Sequence, residues 1–68
     1  MKKWKVVLDR LGYVQADGHR ELQDRHIIAT CSVEGEAHLI AYALKPHYKT
    51  LTDIDKPNMP KHILKVIQ

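Results

Sequence analysis

A chain of 68 residues with one cysteine must close a hydrophobic core without a disulfide, because Cys31 has no second thiol to pair with. A domain this short buries only about 60% of the surface its unfolded chain exposes, so its packing must be economical or completed by a partner. A structural zinc site is a poor substitute. The five histidines (His19, His26, His38, His47 and His62) contain no pair at helical i,i+4 spacing and no His-x-His, and one thiol cannot complete a ligand set. No metal and no cofactor are expected. Apolar residues nevertheless reach 44% and charges are mixed in sign, which is the composition of a folded domain rather than a disordered tail. One small domain over residues 1–68 follows.

Met1-Lys2-Lys3 has the basic start of a secretory signal, but Lys5, Asp9 and Arg10 interrupt the apolar stretch that follows. No window approaches the roughly 20 apolar residues of a membrane span. With its unpaired thiol, the chain reads as cytoplasmic and without a membrane partner.

Turn-forming residues divide the chain at Gly12, Asp17-Gly18, Gly35, Pro46 and 56–60. Residues 3–16 carry two patterns. Trp4, Val6 and Leu8 alternate as in a half-buried strand, while Trp4, Val7, Leu8 and Leu11 have helical spacing; the valines favour the strand. Asp17-Gly18 is a tight-turn dipeptide, and His19–Arg25 reads as a polar loop or hairpin tip. His26–Val33 is a strand, with Ile27, Ala29, Cys31 and Val33 assigned to one face and Cys31 turned inward. Ser32 is placed to cap a helix whose first turn holds Glu34 and Glu36 and whose apolar stripe is Ala37, Ile40, Ala43 and Leu44. Pro46 stops it. A hairpin turning at Glu34-Gly35 is the rival for that stretch. Thr50–Asp55 reads as a short strand, and residues 61–67 as a last strand or a short helix begun by Pro60. The expected fold is α+β: a small antiparallel sheet, made of a hairpin plus one or two further strands, packed by one main helix at about residues 34–45.

Candidate chemistry is sparse. Three isolated glycines cannot form a phosphate-cradling loop, no activating group stands near Cys31 in sequence, and so short a chain has little volume to enclose a substrate. The chain is expected not to be an enzyme. Two resemblances extend this reading. Residues 26–57, with the order strand, Ser-x-Glu-x-Glu-Ala, helix, proline and a segment ending Thr-Asp-Ile-Asp-Lys-Pro, resemble small bacteriophage proteins built as hairpin, helix and strand, a group that includes the phage T7 inhibitor of host RNA polymerase. The resemblance implies an inhibitor that occupies a surface on a host machine. If residues 2–11 form a helix, then Leu11-Gly12-Tyr13-Val14 followed by Asp17-Gly18-His19 resembles HicA-like toxin ribonucleases of α-β-β-β-α layout, which implies His19 as a catalytic group.

The leading expectation is a non-catalytic module that binds and modulates a protein partner. Aromatic and arginine side chains dominate binding hot spots, which nominates Trp4, Arg10, Tyr13, Arg20, Arg25 and Tyr48. In a plain structural reading, Trp4 anchors the core and the tyrosines cover sheet edges. The alternative is nucleic-acid binding through Lys2, Lys3, Lys5, Arg10, Lys61 and Lys65, because the net charge of +3 is concentrated at the two ends of the chain. That reading needs both termini to form adjacent edge strands. A homodimer through an edge strand is the third possibility.

Overall fold

The structure, a computed structural model, describes residues 3–68. Strand β1 (Trp4–Leu11) and strand β2 (Leu22–Cys31) form a hairpin; helix α1 (Glu34–Leu44) and a single helical turn α2 (Lys49–Thr52) follow, and strand β3 (Lys61–Ile67) closes the sheet. The strand order is β2-β1-β3 with both pairings antiparallel. This is a small α+β fold: three strands packed on one main helix.

The strand reading of residues 3–16 holds over Trp4–Leu11, and the last segment is strand rather than helix. β1 takes the centre of the sheet, and its adjacent valines Val6 and Val7, which point to opposite faces, are both fully buried there. The two termini therefore do form adjacent strands, but only β3 is an edge.

Five sequence expectations are corrected. The polar run 19–25 is not all loop: strand begins at Leu22, because the β1 partners Leu11, Arg10 and Asp9 extend the ladder to Leu22, Asp24 and Arg25. Ile27 does not share a face with Ala29 and Cys31. Val6 pairs with Ala29 while Val7 pairs with Ile27, so Ile28 is the extra residue of a β-bulge that switches the alternation. Ser32 does not cap α1. Val33, in an extended conformation, holds that position with no side-chain cap, while Glu34 and Glu36 keep their favourable places in the first turn. The buried stripe runs through Ala37, Ile40, Ala41 and Leu44; Ala43 is exposed. The rival hairpin at Glu34-Gly35 is absent, since Gly35 lies inside α1.

The fifth correction concerns Thr50–Asp55, which is not a strand. Pro46 removes one backbone donor but the chain keeps coiling, with Tyr48 donating to the Leu44 carbonyl and Thr52 to that of Tyr48. The hydroxyl of Thr52 also returns to the Tyr48 carbonyl at 3.0 Å, and Lys49 pairs with Asp53 one turn on. Each of these local bonds favours the helical turn over the β propensity of two threonines. The neighbouring position on the sheet is taken by β3, against which α2 packs.

The core is thin. Val6, Cys31 and Ala37 are buried together, with Trp4, Ala29, Ile40, Leu44, Leu64 and Val66 packed around them. Gly18 has φ +88°, the left-handed conformation that the Asp17-Gly18 turn requires. Arg20 ties the hairpin loop to the far end of the chain. Its guanidinium donates to the carbonyls of Gly12 (3.0 Å), Met59 (2.7 Å) and Lys56 (2.9 Å), and its side chain is only 11% exposed.

Candidate functional site

With one main helix and three strands, only one face of the sheet is covered. By strand alternation the other face carries Lys5, Val7 and Asp9 from β1, Arg25 and Ile27 from β2, and Ile63, Lys65 and Ile67 from β3. At its centre lies Asp9, 1% exposed. Arg25 grips it in a fork, Nε to Oδ1 at 2.7 Å and Nη2 to Oδ2 at 2.8 Å, and Lys65 Nζ stands 3.4 Å from Oδ2 on the other side. A buried carboxylate is tolerable only when paired in this way. The Arg25 hydrogen bonds hold the Asp9 carboxyl below its ordinary value against the opposing pull of burial, and Lys65 adds to the same effect. Asp9 in turn raises the Arg25 guanidinium. Two cations around one acid leave this face net positive.

The second feature lies where α1 meets β3. His38, Ala41, Tyr42 and Lys45 from the helix and Leu64 and Val66 from the strand border a concavity of about 440 Å³. A second concavity of about 230 Å³ continues it past Lys45 and Leu64 towards Thr52, Lys61 and His62. Together they form one groove along β3. It exists because Ala41 is small where the helix leans over the strand, while the long side chains of Tyr42 and Lys45 rise at the rim. Tyr42 is 76% exposed. Beside the groove runs the outer edge of β3, which pairs with no strand among the described residues.

The structure disperses the residues nominated from sequence. Trp4 packs against the core cluster, and Tyr48 is half-buried with the His47 ring edge-on at 4.9 Å. Tyr13 is exposed on the loop after β1. The guanidinium groups of Arg20 and Arg25 are engaged within the chain, while Arg10 is exposed on the helix side of the sheet, beside Asp24 and His62. The nucleic-acid set is divided as well. Lys5, Lys61 and Lys65 fall on the open face by alternation, Lys61 with its ammonium on the Thr52 carbonyl at 2.8 Å; Arg10 is on the opposite face, Lys3 is exposed before β1, and Lys2 lies outside the described residues. The open face carries none of the aromatic platforms on which single-stranded bases stack.

His19 Nδ1–H donates to the Asp17 carboxylate, and its Nε2 is 3.8 Å from Glu21, all on the exposed hairpin loop. The His19 ring hydrogen bond, followed by the His19 backbone N–H, lowers the Asp17 carboxyl. The layout implied by the ribonuclease resemblance is not present, since the chain runs β-β-α-α-β. In the bacteriophage resemblance, the segment ending Thr-Asp-Ile-Asp-Lys-Pro is α2 and loop, and the closing strand comes later. Among the described residues no three His, Cys, Asp or Glu side chains cluster to hold a metal, and no helix is long and apolar enough to cross a membrane.

Sequence reasoning missed Tyr42, Lys45 and Leu64. The available signal was Tyr42 itself, an aromatic placed off the apolar stripe of a helix whose span was legible. No protein-family model, curated protein or solved structure matches the chain.

Proposed function

We propose that the chain is a non-catalytic interaction module that binds and modulates a protein partner. The observation that carries this reading is the unpaired edge of β3 running beside a groove rimmed by the exposed Tyr42. Edge strands recruit partners through their free backbone groups, and an exposed aromatic is a ready anchor. The concavities are shallow clefts between secondary elements, suited to a chain segment more than to an enclosed small substrate. Inhibition of a host machine is the form of this function that the bacteriophage resemblance implies.

Capture by the immobilised intact chain tests the proposal. The wild type retains a specific protein from a bacterial lysate, and Tyr42→Ala lowers the retained amount at least about fivefold, as expected for loss of a hot spot. Retention that survives Tyr42→Ala unchanged, or that disappears on nuclease treatment, overturns it.

A further inference from the structure

We infer that the open face of the sheet receives an amphipathic, acidic helix of the protein partner, laid over it as a second layer opposite α1. This rests on the protein-binding function proposed above and adds the partner's chemistry on a surface other than the β3 edge. The sheet is three strands wide, and outer strands about 10 Å apart match the diameter of one helix. The covered face shows the fit: the 11 residues of α1 suffice there, through the stripe Ala37, Ile40, Ala41 and Leu44. The open face has the same footprint and a different lining. Val7 is fully buried at its centre, Ile27 beside it is 51% exposed, and Ile63 and Ile67 are half-buried on β3. An apolar stripe laid across them would complete their burial.

Charge sets what flanks that stripe. Lys5, Arg25 and Lys65 share the face with one acid, Asp9, which is 1% exposed. Arg25 engages both Asp9 oxygens, so the half-exposed Lys65 shares a carboxylate that is already paired. Lys5 has no carboxylate within ion-pair distance among the described residues. Lys61 is left out of this balance, because its ammonium turns to the Thr52 carbonyl. Other acids lie on the far side of the sheet, Asp24 opposite Arg10 and Glu34 and Glu36 in α1. Among the described residues, a partner meeting this face therefore meets cations and isoleucines and no exposed carboxylate. Acids flanking an apolar stripe complement both. A phosphate backbone would match the cations but give Ile27, Ile63 and Ile67 no apolar cover. A second copy would bring three cations from each chain into one interface whose only acids are the two buried Asp9 carboxylates.

The test titrates the intact, ¹⁵N-labelled chain with a capped peptide of about twelve residues, its leucines at i, i+3, i+4 and i+7 and its other positions alanine and glutamate. A lysine-for-glutamate counterpart and a scrambled acidic peptide run beside it. The striped acidic peptide shifts the amides of Lys5, Val7, Arg25, Ile27 and Lys65 and leaves residues 38–42 unmoved. A helix this short is marginal alone in water, so it gains helical circular dichroism on binding. Its affinity falls as salt is raised, about fivefold with Lys5→Glu and about tenfold with Ile27→Glu, while both variants keep the amide spectrum of a folded protein. The inference is overturned by equal responses to the lysine or scrambled peptide, by shifts confined to the groove between α1 and β3, or by self-association that shifts the same amides. Tighter binding of a random DNA duplex, or no shift at millimolar peptide, also overturns it. Capture of a protein partner that is lost in Tyr42→Ala but unchanged in Ile27→Glu overturns the open-face inference and leaves the interaction function standing. Nuclease-sensitive capture removes both.

Discussion

Val6 and Val7 are adjacent and equally buried, both 0% exposed, yet they reach that state in different ways. Val6 faces α1 and is enclosed by Ala37, Cys31 and the half-buried ring of residues around them. Val7 faces the side of the sheet that no element covers. Its cross-strand neighbours are Ile27, which is 51% exposed, and Lys65. Long side chains lay their aliphatic stems over apolar surface while keeping their charges in water, and here they act as the missing layer. The covered face is thus closed by a rigid element. The open face is closed by side chains that can move, organised around one buried carboxylate.

The largest expected effect separates these two modes of burial. Val6→Ala leaves a cavity between helix and sheet that neither element can fill, and should cost about 3 kcal/mol. Val7→Ala lets its flexible neighbours settle into the gap and should cost about 1 kcal/mol. Urea melts of the two variants measure the difference; equal losses would show that the open face is as rigid as the covered one. Either loss is a large fraction of what so small a domain has.

A smaller effect lies in the charge at the centre of the open face. Asp9→Asn keeps the shape but removes the anion that Arg25 and Lys65 address, and should cost about 2 kcal/mol at neutral pH. The pH dependence has a definite sign. Because the folded state lowers the Asp9 pKa below 3.8, its stabilisation is fully present above that value and is lost as pH falls through the folded pKa. The gap between wild type and Asp9→Asn should therefore close below pH 3.8. A gap that stays constant down to acid unfolding would mean that the carboxylate contributes shape alone. Smallest of all is Lys65→Ala, about 0.5 kcal/mol, because this half-exposed lysine is the outer and more solvated partner of Asp9. A loss near that of Asp9→Asn would make Lys65 a structural equal of Arg25 and weaken its assignment to a binding face.

How legible these features were in the sequence depended on the distance over which they are decided. The Asp17-Gly18 turn, the helix over 34–44 and the inward Cys31 follow from local propensity and periodicity, and they were readable. The bulge was not, because Ile27, Ile28 and Ala29 are all apolar and nothing in that run marks where the alternation slips. The turn at Lys49–Thr52 was obscured by two threonines whose β propensity was outweighed by a Thr52 hydroxyl bond and the Lys49–Asp53 pair. Arg20 looked like a surface cation, since the carbonyls it binds at Lys56 and Met59 lie more than thirty residues away. The groove was hidden for a related reason. It is a relation between Ala41 and Leu64, two small or aliphatic residues more than twenty positions apart that no local pattern links.

The central position of β1 has a consequence for how the molecule is made. Its two neighbours are synthesised at very different times: residues 22–31 follow almost at once, whereas residues 61–67 arrive after roughly fifty residues of intervening chain. Until then β1 belongs to a two-stranded ribbon, which is marginally stable by itself in water. Folding is thereby committed to a slow, non-local closing step. During that interval the side of β1 awaiting β3 exposes Val6, Val7 and Leu8 with free backbone donors and acceptors, the pattern on which nascent chains misassociate. The most hazardous surface of this protein is one that the finished fold never shows.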